Sequence, residues 1–160
     1  MSRARRPSAE IDIVVDDPAW RKHRGILRRV REASESSLRN ARQRAPRALT
    51  VLLSNDRRVR GLNRIHRGKD KPTNVLSFPQ AAQPGYLGDV VIAYGVVKKE
   101  AAESGKRFAD HATHLAVHGV LHLLGYDHEK PKDAAKMEAL EISILREMGI
   151  GNPYEIRSGD

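Results

Sequence analysis

Five of the chain's seven histidines fall between residues 111 and 128, in the run His111-Ala-Thr-His114-Leu-Ala-Val-His118-Gly-Val-Leu-His122-Leu-Leu-Gly125-Tyr-Asp-His128. This spacing constrains the fold more than any other feature. On a helix, His118 and His122 stand at i and i+4, one turn apart on one face, so two imidazoles can converge on one ion. Gly125 falls where such a helix would stop, because glycine takes the left-handed backbone conformation at little cost. The chain can then double back and bring His128 towards the other two rings. A helix, a glycine stop and a return are therefore expected here.

Three neutral imidazoles with an open fourth position make a catalytic zinc arrangement rather than a closed structural one. Cysteine-free, nitrogen-rich ligation favours Zn2+, one per chain, over soft-metal sites, and Ni, Cu or Co could also occupy it in vitro. The chain contains no cysteine, which removes thiolate zinc sites, thiol nucleophiles and disulfide scaffolds. The spacing H-x3-H-x2-G-x2-H is that of the metzincin zinc proteases, with one difference. Those enzymes carry Glu directly after the first histidine as general base, whereas here the position is Gly119. The metal scaffold is thus expected without the peptidase's proton-transfer group. His114, one turn before His118 on the same stripe, is a candidate catalytic residue. An auxiliary base, a hydrogen-bond partner of a ligand and a packed ring are all compatible with its position. His111 is expected to be solvated.

The rest of the chain alternates short strands with amphipathic helices. Residues 10–15 alternate and then run apolar, as a strand does. Asp17 and Pro18 supply an N-cap and a first-position proline for a basic helix from about Ala19 into the thirties. Residues 48–53 read as a buried strand, and Ser54 or Asn55 as the cap of a helix with Val59, Leu62 and Ile65 on one side. Two more strands, at 75–78 and 89–92, flank a Pro/Gly loop. Helices are expected at 95–104 and 108–124, and Pro131 opens a last one carrying Met137, Leu140, Ile144 and Leu145. The expected class is α+β, with about five helices packed on a small mixed sheet of about four strands. Residues 1–160 are expected to form one domain, with about 1–9 and 151–160 as flexible tails.

Charge is distributed unevenly. The chain has 29 Lys and Arg against 20 Asp and Glu, a formal charge of +9. Residues 21–71 hold 17 of the basic residues and 4 of the acidic ones, while residues 72–160 hold 9 and 12. A basic segment beside a near-neutral half is the pattern of a polyanion-binding surface. Arg28, Arg29, Lys69 and Lys71 are the candidate polyanion contacts within it; a solvated arginine-rich face would show the same counts. No apolar run approaches the roughly 18–20 residues of a membrane span. The basic residues near the start are not followed by the apolar stretch of a secretory signal. A soluble, cytoplasmic protein is expected.

The block His118-Gly-Val-Leu-His-Leu-Leu-Gly-Tyr-Asp-His128 is similar to the signature of the YbeY endoribonucleases, the rRNA maturation factors of bacteria. So are Arg67-Gly-Lys-Asp-Lys-Pro-Thr-Asn-Val-Leu-Ser-Phe78 and Leu87-Gly-Asp-Val-Val-Ile92. The three blocks stand in the family's order, and the resemblance extends over roughly residues 10–150. It implies a zinc-dependent hydrolase of single-stranded RNA, with a role in 16S rRNA 3′-end maturation and ribosome quality control. It further implies a metal site at His118, His122 and His128 and an active-site arginine at Arg67. The partners it implies are the 16S rRNA precursor and the small ribosomal subunit with its proteins.

The residue chemistry agrees with that implication. Zinc on three imidazoles can lower the pKa of water to about 7, without a carboxylate base. An arginine offers a planar fork that matches two phosphate oxygens and keeps its charge. Asp127 can either orient an imidazole or cap the turn. Two other readings compete. Gly119 and the basic segment count against a zinc hydrolase of another substrate class. The open coordination position counts against a non-catalytic ribosome-binding module with structural zinc.

Overall fold

The computed structural model describes residues 9–41, 48–80 and 82–155. Four strands, β1 (Glu10–Val15), β2 (Ala48–Ser54), β3 (Val75–Pro79) and β4 (Tyr86–Ala93), form one mixed sheet. Their order is β1-β2-β4-β3, with β1, β2 and β4 parallel and β3 antiparallel along the outer side of β4. The helices are α1 (Ile26–Asn40), α2 (Asp56–Arg67), α3 (Tyr94–Ser104), α4 (Phe108–Leu123) and α5 (Pro131–Glu147). The α+β class expected from the sequence is the class observed.

The central strands β2 and β4 read as nearly continuous apolar runs because both faces of the sheet are covered. On one face Val51, Leu53, Val90 and Ile92 pack with Val30 of α1, Val117 and Leu121 of α4, and Ile144 of α5. On the other, Leu76, Val91 and Ala93 pack with Val59 and Leu62 of α2. Helix α4 is therefore buried along most of its surface, and its histidines are the polar interruptions of a core helix.

Two local expectations are corrected. The basic helix expected from Ala19 is instead a short 3-10 turn, Pro18–Lys22, followed by a break and then α1. Gly25, at φ 81°, takes the left-handed conformation at the N-terminus of α1, while Trp20 is fully buried with its indole N–H on the Ser54 carbonyl at 2.8 Å. Burying that indole against the end of β2 forces the chain to bend before the longer helix starts. Ile65, expected beside Val59 and Leu62, is 72% exposed. At i+6 from Val59 it lies about 120° off the buried stripe, and the inward position is filled by Asn63. Residues 1–8 and 156–160 of the expected tails lie outside the described residues. The segment before them is packed: Lys106 Nζ donates to the Pro153 carbonyl at 2.7 Å, and the Tyr154 hydroxyl reaches Glu141.

Candidate functional site

The helix, stop and return expected around the histidines are present. Gly125, at φ 96°, reverses the chain after α4, and its N–H bonds the His122 carbonyl at 3.0 Å. The next N–H, of Tyr126, bonds the Leu121 carbonyl at 3.1 Å, closing the helix end. Asp127 accepts from the Glu129 backbone at 2.7 Å, so it caps the return. His128 is thereby delivered to His118 and His122, with ring centroids 5.5 and 5.1 Å away. One potential ligand nitrogen from each ring lies within 4.8 Å of the others. The Nε2 atoms of His118 and His122 are 3.1 Å apart. Two nitrogens on one tetrahedral zinc, each bonded at roughly 2.0–2.1 Å, would lie about 3.3 Å apart. The pair therefore already has ligand spacing, and the three-histidine group can hold a metal ion. Burial, and then the neighbouring His118 and His128 rings, push the His122 pKa down to about 4. Its imidazole is thus neutral across the neutral pH range, the form that coordinates a metal.

Sequence reasoning missed the group that supports this centre. Glu141 of α5 is fully buried, and its Oε1 lies 2.8 Å from Nδ1 of His118. Its Oε2 lies 2.7 Å from Nε2 of His114 and also accepts from the Tyr154 hydroxyl. Burial alone would push this carboxyl up, but the bonds from His114, His118 and Tyr154 outweigh it and hold the pKa at about 2. The available signal was a charge on an apolar stripe, since Glu141 lies at i+4 from Met137 and i−4 from Leu145. His114 faces Glu141 and Tyr154 rather than the open side of the three-histidine group. His111, expected to be solvated, has a side chain only 11% exposed and bonds Glu100 at 2.9 Å. Burial, opposed by the Glu100 bond, lowers its pKa.

A cleft of about 620 Å³ opens beside the three rings, walled by His118, His122 and His128, by Val75 and Ser77 of the edge strand, and by Arg67. Arg67 ends α2, where Gly68 closes the helix by bonding the Arg64 carbonyl at 3.0 Å. The buried Asn63 amide donates to the Lys71 carbonyl at 2.8 Å, tying the following loop to the helix, and its oxygen lies 3.5 Å from the Arg67 guanidinium. The fold thus brings Arg67 and the three histidines to one cleft from distant parts of the chain. Lys69 and Lys71 are exposed on the loop just after Arg67. Arg28 and Arg29 lie on α1, where they pair with Glu32 and Asp110, each at 3.5 Å.

Gly119 has a steric reason. A Cβ at this position would lie 2.5 Å from Cγ1 of Val90, and the Gly119 carbonyl accepts from Ser77 Oγ at 2.9 Å. Helix α4 lies so close to the sheet that no side chain fits, without displacing Val90, where a peptidase carries its glutamate.

An open three-imidazole centre beside an arginine, with no carboxylate base after the first ligand, defines a metal-dependent hydrolase whose substrate is anionic. Comparison with known proteins agrees. The family model for Endoribonuclease YbeY matches residues 16–149. The Endoribonuclease YbeY of Magnetococcus marinus is 51% identical over 69% of this chain and 84% of its own length. That of Rhodopseudomonas palustris strain HaA2 is 44% identical over 96% of this chain and 85% of its own. That of Bradyrhizobium diazoefficiens is 43% identical over 99% and 91%. A solution structure from Thermotoga maritima, 24% identical, shares the fold with a TM-score of 0.58 over 91% of this chain and 99% of that one. The chain belongs to the YbeY endoribonuclease family, metal-dependent enzymes that cleave RNA. No helix among the described residues is long and apolar enough to cross a membrane.

Proposed function

We propose that this protein is a zinc-dependent endoribonuclease of single-stranded RNA. Its place would be the cytoplasm, in 16S rRNA 3′-end maturation and ribosome quality control, with the 16S precursor and the small ribosomal subunit with its proteins as partners. The observation that carries the reading is the cleft shared by Arg67 and the three histidines. The single-strand preference and the ribosomal setting rest on family membership. His118, His122 and His128 would hold the ion, and three imidazoles with an open fourth position match the arrangement of catalytic zinc sites. A bound ion supplies Lewis acidity at the phosphate and to the attacking oxygen. Arg67 binds two non-bridging phosphate oxygens through its planar fork and strengthens that contact as negative charge builds on them. Asn63 orients Arg67 from the buried side of α2. His114 contributes through Glu141 rather than by touching the phosphate.

The test measures zinc content and cleavage of single-stranded RNA together. The His122→Ala protein is expected to lose both, since one ligand carries much of the affinity. Arg67→Ala is expected to keep its zinc and lose cleavage by roughly 10²–10³, the scale of one electrostatic stabiliser. Full zinc occupancy in His122→Ala, or wild-type cleavage by Arg67→Ala, would overturn the corresponding assignment.

A further inference from the structure

An imidazole has one lone pair to give, and the nitrogen that carries it is set by what the other nitrogen bonds. A carboxylate only accepts. With Nδ1 of His118 on Glu141 Oε1 at 2.8 Å, the proton sits on Nδ1 and the lone pair on Nε2. Nε2 is the atom that faces His122 at 3.1 Å. The tautomer and the ring angle needed for a ligand are therefore imposed by Glu141, which has no solvent to hold it.

The carboxylate is itself held. Its second oxygen takes the His114 bond at 2.7 Å and the Tyr154 hydroxyl. Tyr154 comes from the segment after α5 and stands edge-on to the His114 ring, with centroids 5.5 Å apart and planes at 85°. Its own N–H bonds Asn152 Oδ1 at 2.8 Å, and Lys106 grips the Pro153 carbonyl. Tyr154 as a residue is 41% exposed, and its hydroxyl is the part seated on the buried Glu141 carboxylate.

We propose that Glu141 and Tyr154 are positioning residues of the metal centre, Glu141 by orienting His118 and Tyr154 by orienting Glu141, so that the segment after α5 sets metal affinity. The proposal rests on the three-histidine group being the metal site. A buried glutamate that merely joined α5 to α4 would affect stability and leave the geometry of a bound ion alone.

The full-length wild type, Tyr154→Phe, Glu141→Gln and His122→Ala are titrated with Zn2+ against a chromophoric chelator, and their Co2+ absorption spectra are recorded. Glu141→Gln is expected to bind zinc about 10–100-fold more weakly, the usual scale for such partners, with an altered Co2+ spectrum. Tyr154→Phe removes one of three donors and keeps the ring. It is expected to fold as wild type, bind zinc about 3–10-fold more weakly and shift the Co2+ bands the same way. Wild-type zinc affinity and Co2+ spectrum in Tyr154→Phe overturn the proposal, even where Glu141→Gln fails to fold. The His122→Ala arm separates the two levels. Retained zinc there refutes the site itself, whereas lost zinc there with an unaffected Tyr154→Phe refutes only the positioning role.

Discussion

Replacing Gly119 with alanine tests the claim that close packing, rather than chance, keeps a side chain from this position. In an exposed helix the change would gain about 1 kcal/mol of helix propensity. Here the new methyl would meet Val90 Cγ1 at 2.5 Å and Cγ2 at 3.2 Å, and Ser77 Oγ at 3.3 Å. Carbon atoms rest at about 3.5–4.0 Å, so the helix or Val90 must give by about 1 Å. Val90 is fully buried, β-branched, and lies on β4 between β2 and β3, so it has little freedom to move. Overpacking of this kind costs about 1–3 kcal/mol, and an overlap this deep lies in the upper part of that range. Less the propensity gain, the net loss is about 1–2 kcal/mol. For a chain of this length that lowers Tm by about 2–8 °C. Urea and thermal unfolding of the metal-free protein measure it, with a double-mutant cycle through Val90→Ala. Removing both Val90 methyls should abolish the penalty and leave a small gain, giving a coupling of about 1–3 kcal/mol. A Gly119→Ala protein as stable as wild type, or a penalty unchanged in the Val90→Ala background, would refute the steric explanation. A shifted helix would also move His118, so metal affinity should fall with stability.

Arg67→Lys should recover only part of the cleavage lost in Arg67→Ala, because a point charge cannot make the two-pronged phosphate contact; full recovery in single-turnover assays would refute the bidentate role. Arg57 and Arg64 are exposed on the same side of α2 as Arg67, so reversing both to Glu should weaken RNA binding and flatten its salt dependence, by about 0.7 in log–log slope per lost contact. Reversing Arg28 and Arg29, already paired on α1, should cost less, and equal losses in filter binding would place the RNA across α1 as well. Burial, then Lys98 and Lys22, hold the His23 pKa below its ordinary 6.5. The unfolded chain then takes up a proton the folded chain declines, so this contribution is whole above pH 6.5 and is lost as pH falls below it. His23→Phe keeps the stack on Phe108, whose centroid is 3.8 Å away, and should flatten the fall of Tm with acidification; identical slopes would refute the assignment.

What was legible in the sequence is what short-range geometry encodes. The pair His118 and His122, the stop at Gly125 and the return to His128 span eleven residues, and helical periodicity with one glycine turn is enough to bring the rings together. The apolar runs of β2 and β4 and the caps at Asp17 and Asn55 are likewise local, which is why the α+β class followed from them. Their neighbours in space did not. The bend at Gly25 depends on where Trp20 is buried, and the exposure of Ile65 on which turn of α2 meets Leu76 and Val91. Arg67 joins the histidines only because β3 returns antiparallel along β4 and lies under α4. Glu141 lies 23 residues from His118 and 27 from His114, and Tyr154 lies 13 residues beyond Glu141. A buried charge is tolerated only where donors from other elements surround it. The sequence by itself determined which imidazoles can share an ion, and tertiary structure alone decided which carboxylate meets His118 and which hydroxyl meets that carboxylate, because those partners are defined by packing between elements rather than by spacing along one.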